Sequence, residues 1–487
     1  MNALSAQLRS YLLYLVIALL PFTPRAIADG LPNLGENSQA VLTPQQERRL
    51  GEEIMQEIRQ DRTFYDDPEV TEYLNDIGYR LVANSADSSL HFEFFAIRDN
   101  TLNAFALPGG FIGVHTGLIL SAQSESELAS VLAHEIAHVT QHHIARMVAH
   151  QQQSTLPTLA ALAVAILAAR TNPQISEGAL AAAQAGAVQS QLNFTRENEE
   201  EADRIGLQTL TRSHFDPRAM ESFFERLQKF GRLYDNNAPA YLRTHPVTSD
   251  RIAEIENRVS ALPYRQVPDS LDFQLIRAKL RADLNTPQEA VKEFNTSLAE
   301  KKYNNETAQR YGLARALMQL GQLSQAEQIL MQLRKLKPDS AIIETQWAEL
   351  ASAENNKAEA VKRYRAAQQL YPGHHALAYG YATALLQNGQ TGDALKFLSD
   401  RLQLYKDDYH LYELQAKAYA ALGNGLLSHQ AQAEAYVRLG NLSAAIDQLQ
   451  IALKQGKGNF YQLSIAEARL RELRAQNSAA HKKQKGP

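Results

Sequence analysis

The chain has 487 residues, of which 45% are hydrophobic and 21% charged, and its formal net charge is −4. A chain of this length is expected to form two or three domains, and its apolar content excludes a disordered protein. The small negative charge argues against nucleic acid as a partner. Because the chain has no cysteine, disulfides are excluded, and any zinc ion must be held by histidine and carboxylate side chains.

The first 28 residues have the organisation of a secretory signal peptide. Arg9 precedes an apolar run from Tyr11 to Phe22, and the small-x-small sequence AIA ends at Ala28. The run has only about a dozen residues, whereas about 20 are needed to span a bilayer, so a retained membrane anchor is the weaker alternative. We therefore predict cleavage after Ala28, export to the periplasm and no transmembrane segment in the mature chain.

The predicted elements of the N-terminal half mix helices and strands. The sequence Pro108-Gly109-Gly110 supplies a turn between two predicted strands. We expect that an extended peptide could pair with the second strand by strand addition. The elements are a helix opened by TPQQ at 43–46 and ending near Arg59, a helix over 70–82, strands over 91–97 and 111–116, a helix opened by the capping box Ser124–Glu127, and a helix over about 195–211.

An alanine-rich stretch lies between residues 156 and 191. It is too short and too often interrupted for membrane-spanning helices. We interpret it as a pair of packed helices, and the alternative is a mobile lid or a surface that touches membrane or substrate. Further along, Pro263 and Pro268 mark a domain boundary.

The C-terminal part of the sequence repeats with a period of 34 residues. Small residues at a helix crossing and proline at the end of the unit are typical of tetratricopeptide repeats. We predict four to five helical hairpins stacked into a solenoid, whose concave groove is a binding module. The recurring positions are Pro338 and Pro372; Ala326, Ala360 and Ala394; and Gly321, Gly389 and Gly423, with Asn355 in the place of the missing glycine.

The segment SVLAHEIAHVTQHH places four histidines and one glutamate on one predicted helix. At about 100° per residue, His134 and His138 lie about 40° apart on one face, so both imidazoles can hold one ion. Glu135 is displaced from that direction but can reach a water molecule held by the ion. This HExxH arrangement predicts two zinc ligands and a general base. For His142 and His143 we favour a solvated helix end, and the alternative for His142 is a substrate-side role or a contact that supports a zinc ligand.

A catalytic zinc ion needs a third protein ligand, and the stretch TRENEEEADRIG is the best source. Glu199 and Asp203 are spaced i,i+4, where like charges repel on a bare helix unless a cation is near. We predict Glu199 as the third ligand and Asp203 as the group that holds a zinc-binding imidazole by its other N–H. The neighbouring Glu197, Glu200 and Glu201 are interpreted as a solvated face.

Together, HEIAH at 134–138 and ENEEEAD about sixty residues later resemble the gluzincin family of the Ste-type, HtpX and mitochondrial Oma-type peptidases. The segment NAFALPGGFIGVHTG also resembles that family's strand beside the active site. In the family's E-x-x-A-D motif the glutamate is the third zinc ligand, and its counterparts here are Glu199 and Asp203. The resemblance implies one zinc ion per chain.

The resemblance also gives His245, in LRTHPVTSDRI, a second meaning. From the residues alone it is a loop histidine that caps the helix starting near Ser249. In exported family members with a C-terminal repeat array, the histidine of this segment can occupy the fourth zinc position. The resemblance therefore implies a latent enzyme with a gate.

These observations predict a mostly α-helical chain: a zincin-type α+β metalloprotease domain with a small sheet, followed by an α-solenoid of tetratricopeptide repeats. The resemblance implies a periplasmic zinc endopeptidase and chaperone of outer-membrane protein assembly, which degrades misassembled clients, docks on the barrel-assembly machinery and assists maturation of lipopolysaccharide-transport proteins. The alternative is a non-catalytic periplasmic chaperone that uses the repeat groove. The predicted divisions are a signal peptide over 1–28, the metallopeptidase domain over 29–265, the repeats over 270–475 and a basic tail over 476–487.

Overall fold

The computed structural model describes residues 42–150, 196–233, 240–455 and 459–484. These residues form a mostly helical chain in which a small sheet precedes a long series of paired helices, which confirms the predicted fold class. The predicted signal peptide and the alanine-rich stretch lie outside the described residues. No helix in the described part of the chain is long and apolar enough to cross a membrane.

The helices and strands follow the predicted order. The N-terminal half contains α1 (Pro44–Gln60), α2 (Pro68–Val82), β1 (Glu93–Ile97), β2 (Ala104–Leu107), β3 (Phe111–His115), α3 (Thr116–Ser121), α4 (Glu125–Thr140), α5 (His143–His150), α6 (Arg196–Arg212), α7 (Arg218–Leu233), α8 (Ala240–Thr244) and α9 (Ser249–Ser260). The C-terminal half contains α10 (Leu271–Leu284), α11 (Pro287–Glu300), α12 (Glu306–Gln319), α13 (Leu323–Leu336), α14 (Ala341–Ala353), α15 (Lys357–Leu370), α16 (His375–Gln387), α17 (Thr391–Leu404), α18 (Tyr409–Ala421), α19 (Gly425–Arg438), α20 (Leu442–Lys454) and α21 (Phe460–Gln484).

The sheet has three strands in the order β1-β3-β2, one strand more than the sequence predicted. Strand β1 runs parallel to β3, while β2 runs antiparallel to it through the predicted Pro-Gly-Gly turn. Strand β3 is therefore central, with neighbours on both edges. The prediction that an extended peptide pairs with the strand at 111–116 is wrong, because both rows of its backbone hydrogen-bonding groups are already used. Strand β2 lies at an edge instead.

In the described part of the chain the repeat array consists of six helix pairs, α10 to α21, rather than the predicted four to five. The first helices of the first five pairs contact one another in succession and form one inner face. In four consecutive pairs the turn needs a left-handed backbone, which glycine and asparagine adopt at low cost. These residues are Gly321 (φ 73°), Asn355 (φ 57°), Gly389 (φ 78°) and Gly423 (φ 70°). Helix α21 continues to Gln484, into the predicted basic tail.

One hydrophobic core runs from the sheet and α2 into the first repeat helices, up to α14. At this junction the Lys279 ammonium, which is 3% exposed, lies 2.7 Å from the Asp67 carboxylate and 2.6 Å from that of Glu69. Burial lowers the pKa of Lys279, but Glu69 and Asp67 outweigh it and raise the pKa, so the amine stays charged. The predicted domain boundary near residues 265–270 therefore lies between two parts of the chain that pack against each other. The division of the chain into two domains remains a prediction.

Beyond this core, the later repeats contact the N-terminal half through polar side chains. Glu72 accepts a hydrogen bond from the backbone N–H of His375 (3.1 Å), and Asp66 pairs with His410 (3.1 Å). Part of the inner face of the solenoid is thus covered by the chain's own segment 65–72. The groove predicted for partners is open only beyond these contacts.

The Asp66–His410 pair makes this contact sensitive to pH. Burial lowers the pKa of His410, but the bond to Asp66 raises it above its usual value. The stabilisation that this ion pair provides is therefore fully present when the pH is below the pKa of His410 in the unfolded chain, about 6.5. It is lost as the pH rises through the higher pKa of His410 in the folded chain. Because the Asp66 side chain is 43% exposed, we expect a coupling of at most about 1 kcal/mol at pH 6 and none at pH 9. Denaturant unfolding of His410→Asn, Asp66→Asn and the double variant measures this coupling; an equal coupling at both pH values would contradict it.

Candidate active site

Helix α4 carries the HEIAH sequence, and nearly all of its side chains are buried. The Ser124 hydroxyl accepts a hydrogen bond from the backbone N–H of Glu127 (3.2 Å), which is one half of the predicted capping box. The other half is not formed, because the Glu127 carboxylate accepts from the backbone N–H of Gln123 (2.7 Å) instead of that of Ser124. The Glu127 carboxylate in turn accepts hydrogen bonds from both terminal nitrogens of Arg226 (2.9 and 2.7 Å). This bidentate pair fixes the start of α4 against α7. It thereby fixes where the histidines of α4, which begin two turns further on, lie along the helix axis.

Helix α6 crosses α4 at Gly206, where the two backbones come very close. A β-carbon at this position would lie 3.1 Å from the backbone nitrogen of His134, closer than most side-chain contacts. The approach brings the Glu199 carboxylate beside both histidines: Oε2 lies 3.5 Å from Nε2 of His134, and Oε1 lies 3.4 Å from Nε2 of His138. The structure thus places the three residues predicted as zinc ligands in one cluster.

His245 follows α8 and enters the same cluster. Its Nδ1 atom lies 2.9 Å from Oε1 of Glu199 and 3.4 Å from Nε2 of His134. One ligand atom from each of these three residues and one from His138 lie within 4.8 Å of one another, and all four side chains are buried. Thr248 caps helix α9 with its side chain, so the interpretation of His245 as the cap is wrong.

These donors fit a metal ion. The Nε2 atoms of His134 and His138 are 3.0 Å apart, a contact that is favourable only when a proton or a cation lies between the nitrogens. Lone pairs of imidazole nitrogens and carboxylate oxygens that are buried this close together are unfavourable unless a positive charge lies among them. Imidazole and carboxylate, without thiolate, are ligands that zinc accepts in tetrahedral sites. A complete set of four protein ligands is typical of closed zinc sites, whereas a catalytic ion keeps one position for water.

Asp203 lies behind His134, as predicted, and a buried arginine lies behind Asp203. The Asp203 carboxylate is 3.0 Å from Nδ1 of His134. Arg251 of α9 donates hydrogen bonds to both oxygens of Asp203 (2.6 and 2.7 Å) and lies 2.7 Å from Oε2 of Glu199. The repulsion between the two acids is therefore relieved in part by Arg251. Arg251 is not predicted from the sequence, because an arginine on a helix is usually solvated.

His143 is buried, so its interpretation as part of a solvated helix end is wrong. The left-handed backbone of His142 (φ 51°) turns the chain so that Nδ1 of His143 lies 2.8 Å from Nδ1 of His138. The other nitrogen of His143 lies 3.1 Å from Glu201, whose carboxylate also accepts a hydrogen bond from Arg146 (2.5 Å). Glu201 is therefore not part of a solvated face. His143 and Glu201 thus lie behind His138, as Asp203 and Arg251 lie behind His134.

Burial and neighbouring charges set the ionisation of the cluster. Burial raises the pKa of Glu135 above its usual value, and the charges of His245 and His134 offset this only in part. Burial lowers the pKa of His138 well below its usual value, so this ring is neutral. For Glu199, burial raises the pKa, but the surrounding histidines lower it well below the usual range. Burial lowers the pKa of His134, but its contacts with Asp203 and Glu199 raise it to about 9, so this ring must lose its proton to bind a metal ion.

Both halves of the chain match known family models. Residues 68–259 match Peptidase family M48, and residues 281–345 and 351–418 match the tetratricopeptide repeat. The first match spans helix α2 through helix α9, and so includes the sheet and every residue of the cluster. The second covers most of the helix pairs of the array.

Relatives match over almost the whole length. The chain is 35% identical over 448 residues to the beta-barrel assembly-enhancing protease of Escherichia coli (strain K12), covering 92% of each chain. It is 37% identical over 419 residues to the putative beta-barrel assembly-enhancing protease of Vibrio cholerae, covering 85% of this chain and 86% of that relative. It is 33% identical over 215 residues to the mitochondrial metalloendopeptidase OMA1 of Schizosaccharomyces pombe, covering 43% and 60%.

The fold and the buried histidine–carboxylate cluster define a metallopeptidase that carries a helical repeat array. The chain belongs to peptidase family M48 and is a metalloendopeptidase. The predicted resemblance to the Oma-type peptidases is thereby confirmed.

Proposed function

We propose that this chain is a periplasmic zinc endopeptidase and chaperone in the assembly and quality control of outer-membrane β-barrel proteins. The observation that carries the proposal is the buried cluster of His134, His138 and Glu199 beside Glu135. The names of the bacterial relatives support a role in the cell envelope. Its clients are unfolded or misassembled outer-membrane proteins, including those of lipopolysaccharide transport, and its repeat array contacts the barrel-assembly machinery.

In this proposal His134, His138 and Glu199 hold one zinc ion per chain, with Asp203 orienting His134. A bound zinc ion would supply a Lewis acid that polarises the scissile carbonyl and lowers the pKa of water toward about 7. Glu135 accepts a proton from the attacking water on its carboxylate and then delivers it to the departing amine. The Glu135 carboxylate is buried and lies 3.6 Å from Nε2 of His245, at the edge of the proposed ligand set.

Strand β2 is the site where we expect an extended substrate to bind. It is the edge strand that packs against helix α4, which carries Glu135. A peptide added along this edge would be held by backbone hydrogen bonds, which do not depend on its side chains. Such binding suits clients of many sequences and requires them to be locally unfolded.

His245 defines the resting state in this proposal. With His245 beside His134 and Glu199, four protein ligands surround one position and leave none for the nucleophilic water. Cleavage therefore requires His245 to leave the cluster, so the enzyme is latent until a client or partner favours the open form. The gate therefore limits cleavage of unfolded segments until such an event occurs.

The same closure favours a second function, in which the protein holds clients without cutting them. A site with four protein ligands resembles structural zinc sites, and the repeat array is a binding module in its own right. The two functions separate when a loosely folded substrate is incubated with and without a chelator. Chelator-sensitive fragments indicate the peptidase, whereas suppressed aggregation without fragments at either condition indicates holding alone.

Metal analysis of the Glu199→Ala variant tests the proposed ligand set. Glu199 contributes the one anionic ligand. Even the loss of a residue that only hydrogen-bonds to a metal ligand commonly weakens metal binding about 10- to 100-fold. We therefore expect the variant to be purified without stoichiometric zinc and without activity. Measurement of zinc per chain by elemental analysis checks this. Glu200→Ala, an exposed position next along the same helix, is the matched control and should keep one zinc ion. Full zinc occupancy in Glu199→Ala would overturn the ligand assignment.

A further inference from the structure

Tyr241 carries a polar group that the proposed mechanism does not use. The residue lies in helix α8, four positions before His245, and its side chain is 1% exposed. Its hydroxyl has no hydrogen-bond partner among the residues that the structure describes. Buried tyrosine hydroxyls usually find a partner, because an unsatisfied one loses the hydrogen bonds it makes in water. An unsatisfied hydroxyl inside an active site therefore points to a ligand that completes it.

The ring of Tyr241 is part of the metal cluster. It stacks on the ring of His245 with a centroid distance of 4.8 Å and an interplanar angle of 28°, and it lies edge-on to His134 at 6.3 Å. The backbone ties these residues together, since the His245 N–H donates to the Tyr241 carbonyl (2.8 Å) and the Tyr241 N–H donates to that of Leu102 (3.2 Å). The latter bond fixes α8 to the residues just before strand β2.

The hydroxyl is held in its protonated form. A tyrosine hydroxyl keeps its proton at neutral pH, because its ordinary pKa is about 10. His245, on whose ring Tyr241 stacks, lies 3.6 Å from the Glu135 carboxylate. The group is therefore a fixed hydrogen-bond donor beside the proposed base, in a site from which water is excluded.

We propose that Tyr241 is a further catalytic residue, whose hydroxyl donates a hydrogen bond to the scissile carbonyl oxygen as that oxygen becomes negative. The inference rests on the proposed function. As the water oxygen bonds to the carbonyl carbon, the electron pair of the C=O π bond moves onto the carbonyl oxygen. The proton of Tyr241 stays on its own oxygen throughout, so the step needs no co-reactant.

His245 controls access to this donor. In the resting arrangement its ring covers one face of Tyr241 and fills the cluster, so no carbonyl oxygen can approach. When His245 leaves, the same movement opens a ligand position and uncovers the hydroxyl. The stacked pair thus couples the gate to the donor.

The experiment removes the hydroxyl and keeps the ring. Tyr241→Phe is made in the wild-type chain and in His245→Ala, and kcat, KM and zinc content are measured with a quenched-fluorescence peptide. Removal of one oxyanion donor commonly lowers kcat by about 10²- to 10³-fold. We expect that loss, with KM changed by less than about twofold and zinc retained, because the hydrogen bond forms only in the transition state. Tyr264→Phe, an exposed position in the connection before the repeats, should have no effect.

A second measurement separates this role from a structural one. A phosphonamidate peptide, which mimics the tetrahedral oxyanion, should bind Tyr241→Phe more weakly by the same factor as the loss in kcat, while a peptide product should bind equally to both proteins. An unchanged kcat, a loss confined to KM, or loss of zinc would overturn the assignment. If no chain cleaves peptide in a chelator-sensitive way, the proposed function fails; if His245→Ala cleaves and the double variant cleaves equally, only the role of Tyr241 fails.

Discussion

Replacement of Glu135 by glutamine is expected to abolish peptide cleavage while the zinc ion stays bound. Glutamine keeps the size of the side chain but cannot accept a proton, and general-base catalysis contributes about 10²- to 10⁴-fold to such reactions. In the proposed site Glu135 lies beside the ligand cluster, with its carboxylate 3.6 Å from Nε2 of His245, and is not one of the clustered ligand residues. The change should therefore lower kcat by at least about 10²-fold without altering zinc per chain.

The measurement compares cleavage of a loosely folded substrate by Glu135→Gln, by wild type and by chelated wild type. Glu256→Gln, an exposed glutamate of helix α9, is the matched control and should cleave as wild type does. Proteolysis by Glu135→Gln at the wild-type rate would refute the assignment of the base. Loss of zinc from this variant would instead mean that Glu135 supports the ligand set.

The parts of the site that the sequence predicts are those fixed by local geometry. His134 and His138 share a face because a helix repeats every 3.6 residues, whatever packs around it. Glu199 and Asp203 stand out because two acids one turn apart are unfavourable without a cation. Arg251 and His143 carry no such local signal. Their roles depend on how α9 and α5 pack against α6 and α4, which only the folded chain determines.

The same distinction applies to the fold. The 34-residue period predicts the helix pairs of the array, because each pair must present similar surfaces to its neighbours. Strand β2 escapes prediction because its four residues, all apolar, show no alternation of polar and apolar side chains. The covering of the inner face by segment 65–72 depends on individual charges, such as Lys279 opposite Asp67 and Glu69, which form no repeating pattern.

Replacement of His245 by alanine is expected to raise basal cleavage. At rest the His245 ring occupies the cluster, so only the fraction of molecules in which it has left can react. Minor conformations of this kind are commonly populated at about 0.1–10%, so emptying the position permanently should raise the basal rate by about 10- to 1000-fold. The three remaining ligands are those of an ordinary catalytic zinc site, so zinc should be retained.

The decisive comparison is the rate of cleavage of a short peptide and of a folded protein by His245→Ala and by wild type, at equal zinc content. His429→Ala is the matched control, because this histidine of helix α19 contacts Gln448 and Gln455, within the repeat array. If His245 gates the ligand position, the rate on the peptide rises, while the folded protein resists because its chain cannot extend along β2. A variant that is no more active than wild type with its zinc in place would show that closure is not what limits the resting enzyme.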